Sequence, residues 1–337
     1  MAYSGNEDIR RDAGSGGVVS TLIIHLLRTG RIDGAFVSRL RANRGSLQVE
    51  SFIARTEEEV LSCRTSIYMD FVPDSIKKLV DGKEKLAFVG LPCHMKMLRD
   101  LEKKMPGFSE RILLRIGLFC GHTSSPKLLL NYLNKKRIKI EDVEKLVFRK
   151  GRWRGKTYIF TKDGEARTYP AEDFTIYQNL CFFCPKKCLF CQDHTAEFSD
   201  VSCGDAWLPE LKSNPIKHSV ILSRKKEATK IIDGMLNEGI LRGKTASPGV
   251  IIRSQKRALI FKKRNITARK KLSRLFGIES MRDLTGLRPR LNDYLGAFLI
   301  LSNTKASENR VFTRAIFAIP TRLLYPYFWF LCLMLNF

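Results

Sequence analysis

The sequence predicts an α/β fold (an α+β mixture): an N-terminal sheet covered by helices, then an antiparallel hairpin region and a cysteine-rich loop. Three observations predict it. Short apolar runs that end in glycine or proline alternate with amphipathic stretches as far as Lys135. Shorter alternating runs follow, with Lys162-Asp163-Gly164 as the hairpin turn. Four cysteines, Cys181, Cys184, Cys188 and Cys191, then fall within eleven residues.

Taken in order, residues 18–28 place Val18, Val19, Leu22, Ile23, Leu26 and Leu27 on one stripe, and Gly30 closes that helix. Residues 35–37, after Asp33-Gly34, read as a strand, and 57–61 and 74–80 as brief helices. Residues 86–89 form a compact apolar run ended by Gly90 and Pro92, suited to a buried parallel strand. A helix at 95–104, a strand at 112–119 and a helix at 126–135 continue the alternation. Residues 145–148, 157–161 and 166–169 read as antiparallel strands, 219–222 as a strand, and 228–238 as a helix. The expected organisation is a core over 1–225 with its cysteine loop at 181–205, a closing helix within 226–250, and a basic, apolar-ended C-terminal extension over 251–337.

The chain has 337 residues, a net charge of +25 and 28% charged residues, which excludes wholesale disorder. Its nine cysteines are too few and too clustered for a disulfide scaffold. Residues 1–12 are polar, so no secretory signal is expected and the expected location is cytoplasmic. Residues 251–290 hold 13 Lys or Arg against two acids, a net of +11. The apolar end has a longest charge-free run of 15 residues, 323–337, short of the roughly 20 that a spanning helix needs. A basic segment before an Arg-flanked apolar tail predicts peripheral attachment through 251–337 to an anionic membrane surface, at its inner face, or to an acidic partner.

The run reads C-x2-C-x3-C-x2-C. Thiolates so spaced, without histidine, suit an iron–sulfur cluster or tetrahedral zinc; zinc ribbons put about 15–20 residues between their knuckles. Cys93 and Cys120 fall at the carboxyl ends of predicted parallel strands, where α/β folds build sites. Cys203 lies in Asp200-Val-Ser-Cys-Gly-Asp205, while Cys63 and Cys332 have no such context and read as structural. Ala13-Gly-Ser-Gly-Gly17 runs into the first helix, where small residues and free N–H groups favour phosphate, or simply a turn capped by Ser15. A zinc-bearing, basic nucleic-acid-binding protein would explain the charge and the cysteine run together, but not the glycine loop, Cys93 or Cys120.

Several ordered segments resemble the beta-subunit family of coenzyme F420 hydrogenases and dehydrogenases, relatives of 7-hydroxymethyl chlorophyll a reductase. They are Ala13–Ser20, Ile32–Val37, Phe88–Cys93, Ile116–Cys120, Cys184-Pro-Lys-Lys-Cys188 with Cys191 and Asp193, and Glu197–Asp205. The resemblance implies an FAD- and [4Fe–4S]-dependent oxidoreductase subunit. It would pass electrons between coenzyme F420, or a related hydride donor, and iron–sulfur centres or a partner subunit. It implies that Ser15, Gly16, Gly17, Val18, Tyr68, Gly204 and Asp205 contact the flavin, and that Cys93 and Cys120 join cysteines of the run as ligands. Two ligand sets stay open: the four run cysteines alone, or Cys93, Cys120, Cys188 and Cys191, with Cys181 and Cys184 left for a second site or a structural role. The N-terminal ferredoxin-like domain of many members is not expected here, so further clusters are expected on a redox partner protein or ferredoxin-like subunit, or to be absent. It reads Arg64-Thr-Ser-Ile-Tyr68 where the family often has Gly-Ser-Lys-Tyr. His94 and His122 are candidate proton relays, with no catalytic acid or base assigned. The expected deazaflavin substrate is polyanionic; Arg149, Lys150, Arg152, Arg154, Lys186 and Lys187 are the cations expected to attract it. Another reading is a redox-inert, membrane-associated subunit of the same fold.

Overall fold

The computed structural model describes residues 1–43, 45–73, 76, 79, 82–279 and 287–335. The helix expected at 74–80 therefore lies largely outside the described residues. Along the chain run β1 (Ala2–Ser4), α1 (Glu7–Asp12), α2 (Val18–Arg28), the hairpin β2 (Gly34–Asn43) and β3 (Ser46–Ala54), and α3 (Glu57–Ser62). Next come β4 (Leu86–Gly90), α4 (Pro92–Lys104), α5 (Pro106–Ser109), β5 (Ile112–Leu118) and α6 (Pro126–Lys135). The second part holds β6 (Val143–Lys150), β7 (Lys156–Thr161), β8 (Ala166–Pro170), α7 (Glu172–Asn179), α8 (Lys186–Leu189), β9 (Val201–Asp205), β10 (Ser219–Ser223), α9 (Lys226–Asn237) and β11 (Leu241–Gly243). Helices alone complete the described chain: α10 (Pro248–Leu259), a π-helical turn at Ile260–Arg264, α11 (Asn265–Ser273), α12 (Leu291–Ala306), α13 (Arg310–Ala318) and α14 (Leu324–Leu335).

Among these residues one eight-stranded sheet runs β11-β1-β10-β9-β5-β4-β2-β3 and a second is the antiparallel meander β6-β7-β8. The centre, β2-β4-β5-β9, is parallel, with antiparallel strands at both edges. The mixed α/β expectation holds, and α2 and α6 occupy the residues predicted for them. The strand expected at 35–37 is longer and pairs with an unpredicted neighbour, β3, across nine residue pairs. One face of the sheet packs Val18, Leu22, Ile23 and Leu26 of α2 and Ile231, Ile232 and Met235 of α9 against Ala35, Ala87, Leu114, Ile116 and Val201. Each large side chain so buried stabilises the fold by roughly 1.5–3 kcal/mol.

Described residues of the C-terminal third pack onto the cysteine loop. Phe317, Leu324, Phe328, Leu331 and Leu335 share one apolar cluster with Cys181, Phe182, Cys184 and Leu189. Side chains of α12 and its end clasp the cysteine loop: Asn303 Nδ2 donates to Leu180 O (2.8 Å), Thr304 Oγ1 to Cys181 O (3.0 Å), and Phe183 N to Ser307 Oγ (2.9 Å). Part of the basic segment's charge turns inward: Lys262 and Arg269 are 1% and 0% exposed, and Arg264 pairs with fully buried Asp293 at 3.0 Å, while Arg253, Lys256, Lys271, Arg274, Arg288 and Arg290 are exposed. Among the described residues no single helix is long and apolar enough to cross a membrane; Arg310–Ala318 with Thr321–Leu335 passes only as a pair bent by 100°.

Candidate redox site

The parallel strands set the first two thiols. Cys93 stands in the first turn of α4, directly after β4, and Cys120 follows β5, so adjacent strands deliver them to the same sheet end. Cys188 sits on α8 and Cys191 just beyond it, with Cys191 N donating to Cys188 O at 3.3 Å. Each of these four sulfurs lies within electrostatic reach of the other three, or is joined to them through that α8 turn. The structure thus assembles Cys93, Cys120, Cys188 and Cys191, and it splits the sequence run in half. Cys181 and Cys184 form a second pair beside His122 and Arg269, with Cys184 also within reach of Cys188.

The environment of the four thiols is dry and cationic. Burial pushes Cys93 up to about 11, Cys120 further, and Cys188 in the same direction. Buried thiols of this kind stay protonated until a metal cation takes the proton's place. Lys262 faces Cys120, Cys188 and Cys191 and hydrogen-bonds to Cys191. Thr123 Oγ1 lies 3.4 Å from Cys188 Sγ, and Lys187 pairs with Asp70 at 2.7 Å beside Cys93 and Cys188. Among the described residues no three His, Cys, Asp or Glu side chains are spaced to hold a single metal ion. An all-thiol donor set with cations behind it fits a multi-iron cluster.

A polar cleft adjoins this ring. Arg149, 3% exposed, pairs with Asp205 at 2.8 Å, hydrogen-bonds to Tyr68 and lies over the Trp207 ring. Asp12 takes Arg64 at 2.6 Å and Lys150 at 2.8 Å. The Lys217 ammonium donates to Ala13 O, and burial, with Arg149 nearby, pushes its pKa down to about 8. Four cations thus face two carboxylates around a tyrosine and a tryptophan, a composition that fits an anionic aromatic group. The strip Tyr68–Asp70 joins cleft to ring: Tyr68 O accepts from Ser124 N, Asp70 N donates to Ser124 O, and Asp70 and Thr123 border Cys188.

Other predicted residues find different surroundings. The glycine loop packs against the chain itself. A Cβ on Gly16 would lie 2.9 Å from both Ala2 O and Ser219 N. Gly17 adopts φ +77° as the N-cap of α2, and Val18 is 1% exposed. Ser15 is not the helix cap; its Oγ donates to His218 O (3.2 Å) and meets Ser219 Oγ (3.0 Å). Gly204 is fixed by the Phe119 ring, 2.2 Å from its would-be Cβ. His94 has both ring nitrogens at backbone atoms, Leu91 N and Phe71 O, and burial pulls it down to about 4, so it holds the start of α4 as a neutral ring. His122 Nε2 lies 2.8 Å from Gln178 O, with Cys181 as its other partner. Cys203, buried on β9, stands apart from the ring, and Arg152 and Lys186 are exposed. Sequence reasoning missed Lys262, Lys217, Asp70 and Thr123; each reaches the site through long-range packing that leaves no local pattern.

Comparison with known proteins places the chain in a family. Residues 1–75 match the N-terminal family model described as coenzyme F420 hydrogenase/dehydrogenase, beta subunit, and residues 83–248 match the C-terminal one. The chain is 29% identical over 254 residues to a coenzyme F420-dependent sulfite reductase of Methanocaldococcus jannaschii, covering 71% of this chain and 37% of that protein. It is 28% identical over 204 residues to one of the subunits of an F(420)H(2) dehydrogenase of Methanosarcina mazei, covering 59% and 54%. It is 27% identical over 276 residues to the beta subunit of a coenzyme F420 hydrogenase of Methanococcus voltae, covering 78% and 90%. The chain thus spans only about a third to a half of the first two relatives. In fold it is similar to a chain of the F420-reducing [NiFe] hydrogenase complex of Methanosarcina barkeri, with a TM-score of 0.59, 21% identity, and coverage of 80% of this chain and 91% of that one.

Proposed function

Because the chain belongs to the coenzyme F420 hydrogenase/dehydrogenase beta-subunit family, a family of oxidoreductase subunits, we propose that it is an electron-transfer subunit with one [4Fe–4S] cluster on Cys93, Cys120, Cys188 and Cys191. The observation that carries this reading is the convergence of those four thiols from β4, β5 and α8. FAD fits the chemistry of the neighbouring cleft: Arg64, Arg149, Lys150 and Lys217 would hold its anionic part, and Tyr68 would border it. The flavin supplies conversion between hydride and single-electron chemistry. The chain contributes orientation, a positive field and dry surroundings. Arg149, locked by Asp205 and the carbonyls of Trp153 and Arg154, holds one wall of the cleft rigid. Tyr68–Asp70 fixes the spacing between cleft and ring, and Lys262 offsets thiolate charge.

The hydride donor is coenzyme F420 or a chemically related anionic donor, drawn by the same cations, and the acceptor is an iron–sulfur partner subunit. Anaerobic purification with iron, sulfide and flavin counts tests it. The expected result is iron near four per chain, lost in Cys93→Ala and Cys188→Ala but kept in Cys181→Ala. A colourless protein carrying zinc refutes it.

A further inference from the structure

The last helices leave an apolar surface uncovered. Leu323 to Phe337 hold no charged residue, so α14 is apolar on every side. Its inner side, Leu324, Phe328, Leu331 and Leu335, packs into the cluster that carries the cysteine loop. Its outer side is Pro326, Trp329, Phe330 and Leu333, and Trp329 and Leu333 are each 65% exposed. These residues recur at spacings of three and four, which places them on one face. A helix apolar all round belongs in a core or against lipid. Among the described residues nothing covers the outer half of this one.

Its neighbours repeat the arrangement. On α13, Thr313 and Phe317 are buried, while Val311 (76% exposed), Ala315 and Ala318 form an exposed apolar stripe. α13 and α14 meet at a bend of 100°. α12 lies along α14, with Leu335 over Gly296 and Tyr327 Oη donating to Asn303 Oδ1 at 2.9 Å. It too exposes a stripe, Leu291, Leu295 and Phe298. Single exposed apolar residues are ordinary, whereas stripes on three successive helices mark an interaction surface.

The charge around this surface has one sign. Residues 306–337 contain Arg310, Arg314 and Arg322 and a single acid, Glu308, which pairs with Lys305 at 2.6 Å. The three arginines are exposed, and among the described residues none has a carboxylate partner. Arg310 and Arg314 stand one turn apart beside the Val311 stripe, and Arg322 precedes α14. A protein partner would call for about one hydrogen bond per 100–200 Å² of interface. The outer side of α14 offers one side-chain donor, the Trp329 indole N–H. A bilayer needs no polar contact at depth, and its headgroup layer favours tryptophan and, where lipids are anionic, arginine.

We propose that α13 and α14 form an anchor that lies on a membrane surface rich in anionic phospholipid. The outer side of α14 enters the upper acyl region, and Arg310, Arg314 and Arg322 bind lipid phosphates. The anchor rests on the bilayer without crossing it, because neither helix is long enough to span. No part of this inference rests on the cluster ligands or the flavin.

The test sediments the full chain, purified without oxygen, with vesicles of phosphatidylcholine or of phosphatidylcholine mixed with phosphatidylglycerol. The expected result is binding to the mixed vesicles that weakens as salt is added, and little binding to phosphatidylcholine alone. Arg310→Ser/Arg314→Ser/Arg322→Ser is expected to bind roughly a hundredfold more weakly. Trp329→Glu, and separately Leu333→Glu, should each bind roughly tenfold more weakly or less still, with the parent's melting curve, since both positions are exposed in the free protein. Brominated acyl chains should quench the part of the tryptophan emission that Trp329→Phe removes. Full binding by either folded glutamate variant, no sedimentation with either vesicle, or equal binding to both vesicles overturns the inference. A dimer seen by light scattering without lipid, and dissolved by Trp329→Glu, would mean that a second copy covers the face, and overturns it too.

Discussion

Lys262, 1% exposed on the π-helical turn after α10, hydrogen-bonds to Cys191 and faces Cys120 and Cys188. One-turn π-helical irregularities often mark functional positions. This one turns a lysine of the basic segment onto three proposed ligands, from beyond the residues that match the family.

A buried positive charge favours the reduced, more negative cluster. Lys262→Met is therefore expected to lower the cluster midpoint by roughly 80 mV, about 2 kcal/mol of lost attraction at an effective dielectric near 20. Lys262→Arg should recover most of it. Redox titration followed by electron paramagnetic resonance measures the shift, and an unchanged midpoint in an iron-replete variant would refute the assignment.

Removing residues 251–337 is expected to collapse the protein. The truncated chain loses Asn303, Thr304 and Ser307 from the cysteine loop and leaves Leu189 O without its Arg269 donor. Each orphaned buried group costs about 1–3 kcal/mol. Limited proteolysis of the 1–250 fragment should show rapid cleavage within 181–205, whereas a resistant, iron-loaded fragment would restore the extension reading.

Lys217 gives the stability a pH slope. Its pKa is lowered from 10.5 to about 8 by burial and by Arg149, so between those values the unfolded chain binds more protons than the folded one. Stability of the unliganded protein then rises with pH through that window, by up to about 3 kcal/mol from this group. Below pH 8 the folded protein carries the full cost of the buried ammonium. Denaturant titrations at pH 7.5 and 9.5 should show the rise in the parent and a smaller one in Lys217→Met.

Gly16→Ala is expected to destabilise by roughly 1–3 kcal/mol, because the new methyl meets backbone atoms of Ala2 and Ser219 that cannot swing aside. Thermal unfolding of the cofactor-free protein measures this. An unaltered melting temperature with weakened flavin binding would instead return Gly16 to the cofactor.

Much of the fold was legible because its signals are local. The stripe of α2, the Ser125-Pro126 start of α6 and the glycine-terminated run of β4 carry their own punctuation. Family segments identified Cys93 and Cys120, but spacing could not divide the run. Cys181 and Cys184 look like Cys188 and Cys191 in sequence, and the ends of β4 and β5 decide which pair faces the ring. The charge of the C-terminal third is hard to place from sequence for the same reason. Lys262 and Arg269 read as surface charge until the thiols they face are placed beside them. In the glycine loop a second reason for small residues is visible only in the fold: Ala2 and Ser219 crowd Gly16.

The clasp of α12 on the cysteine loop has a consequence for biosynthesis. Residues 180–183 cannot settle until residues 303–307 have left the ribosome, more than a hundred positions later. Throughout that interval the nascent chain displays its thiols open to solvent. On the proposed function, iron delivery has its window then, and the arrival of the last helices shuts the door behind it.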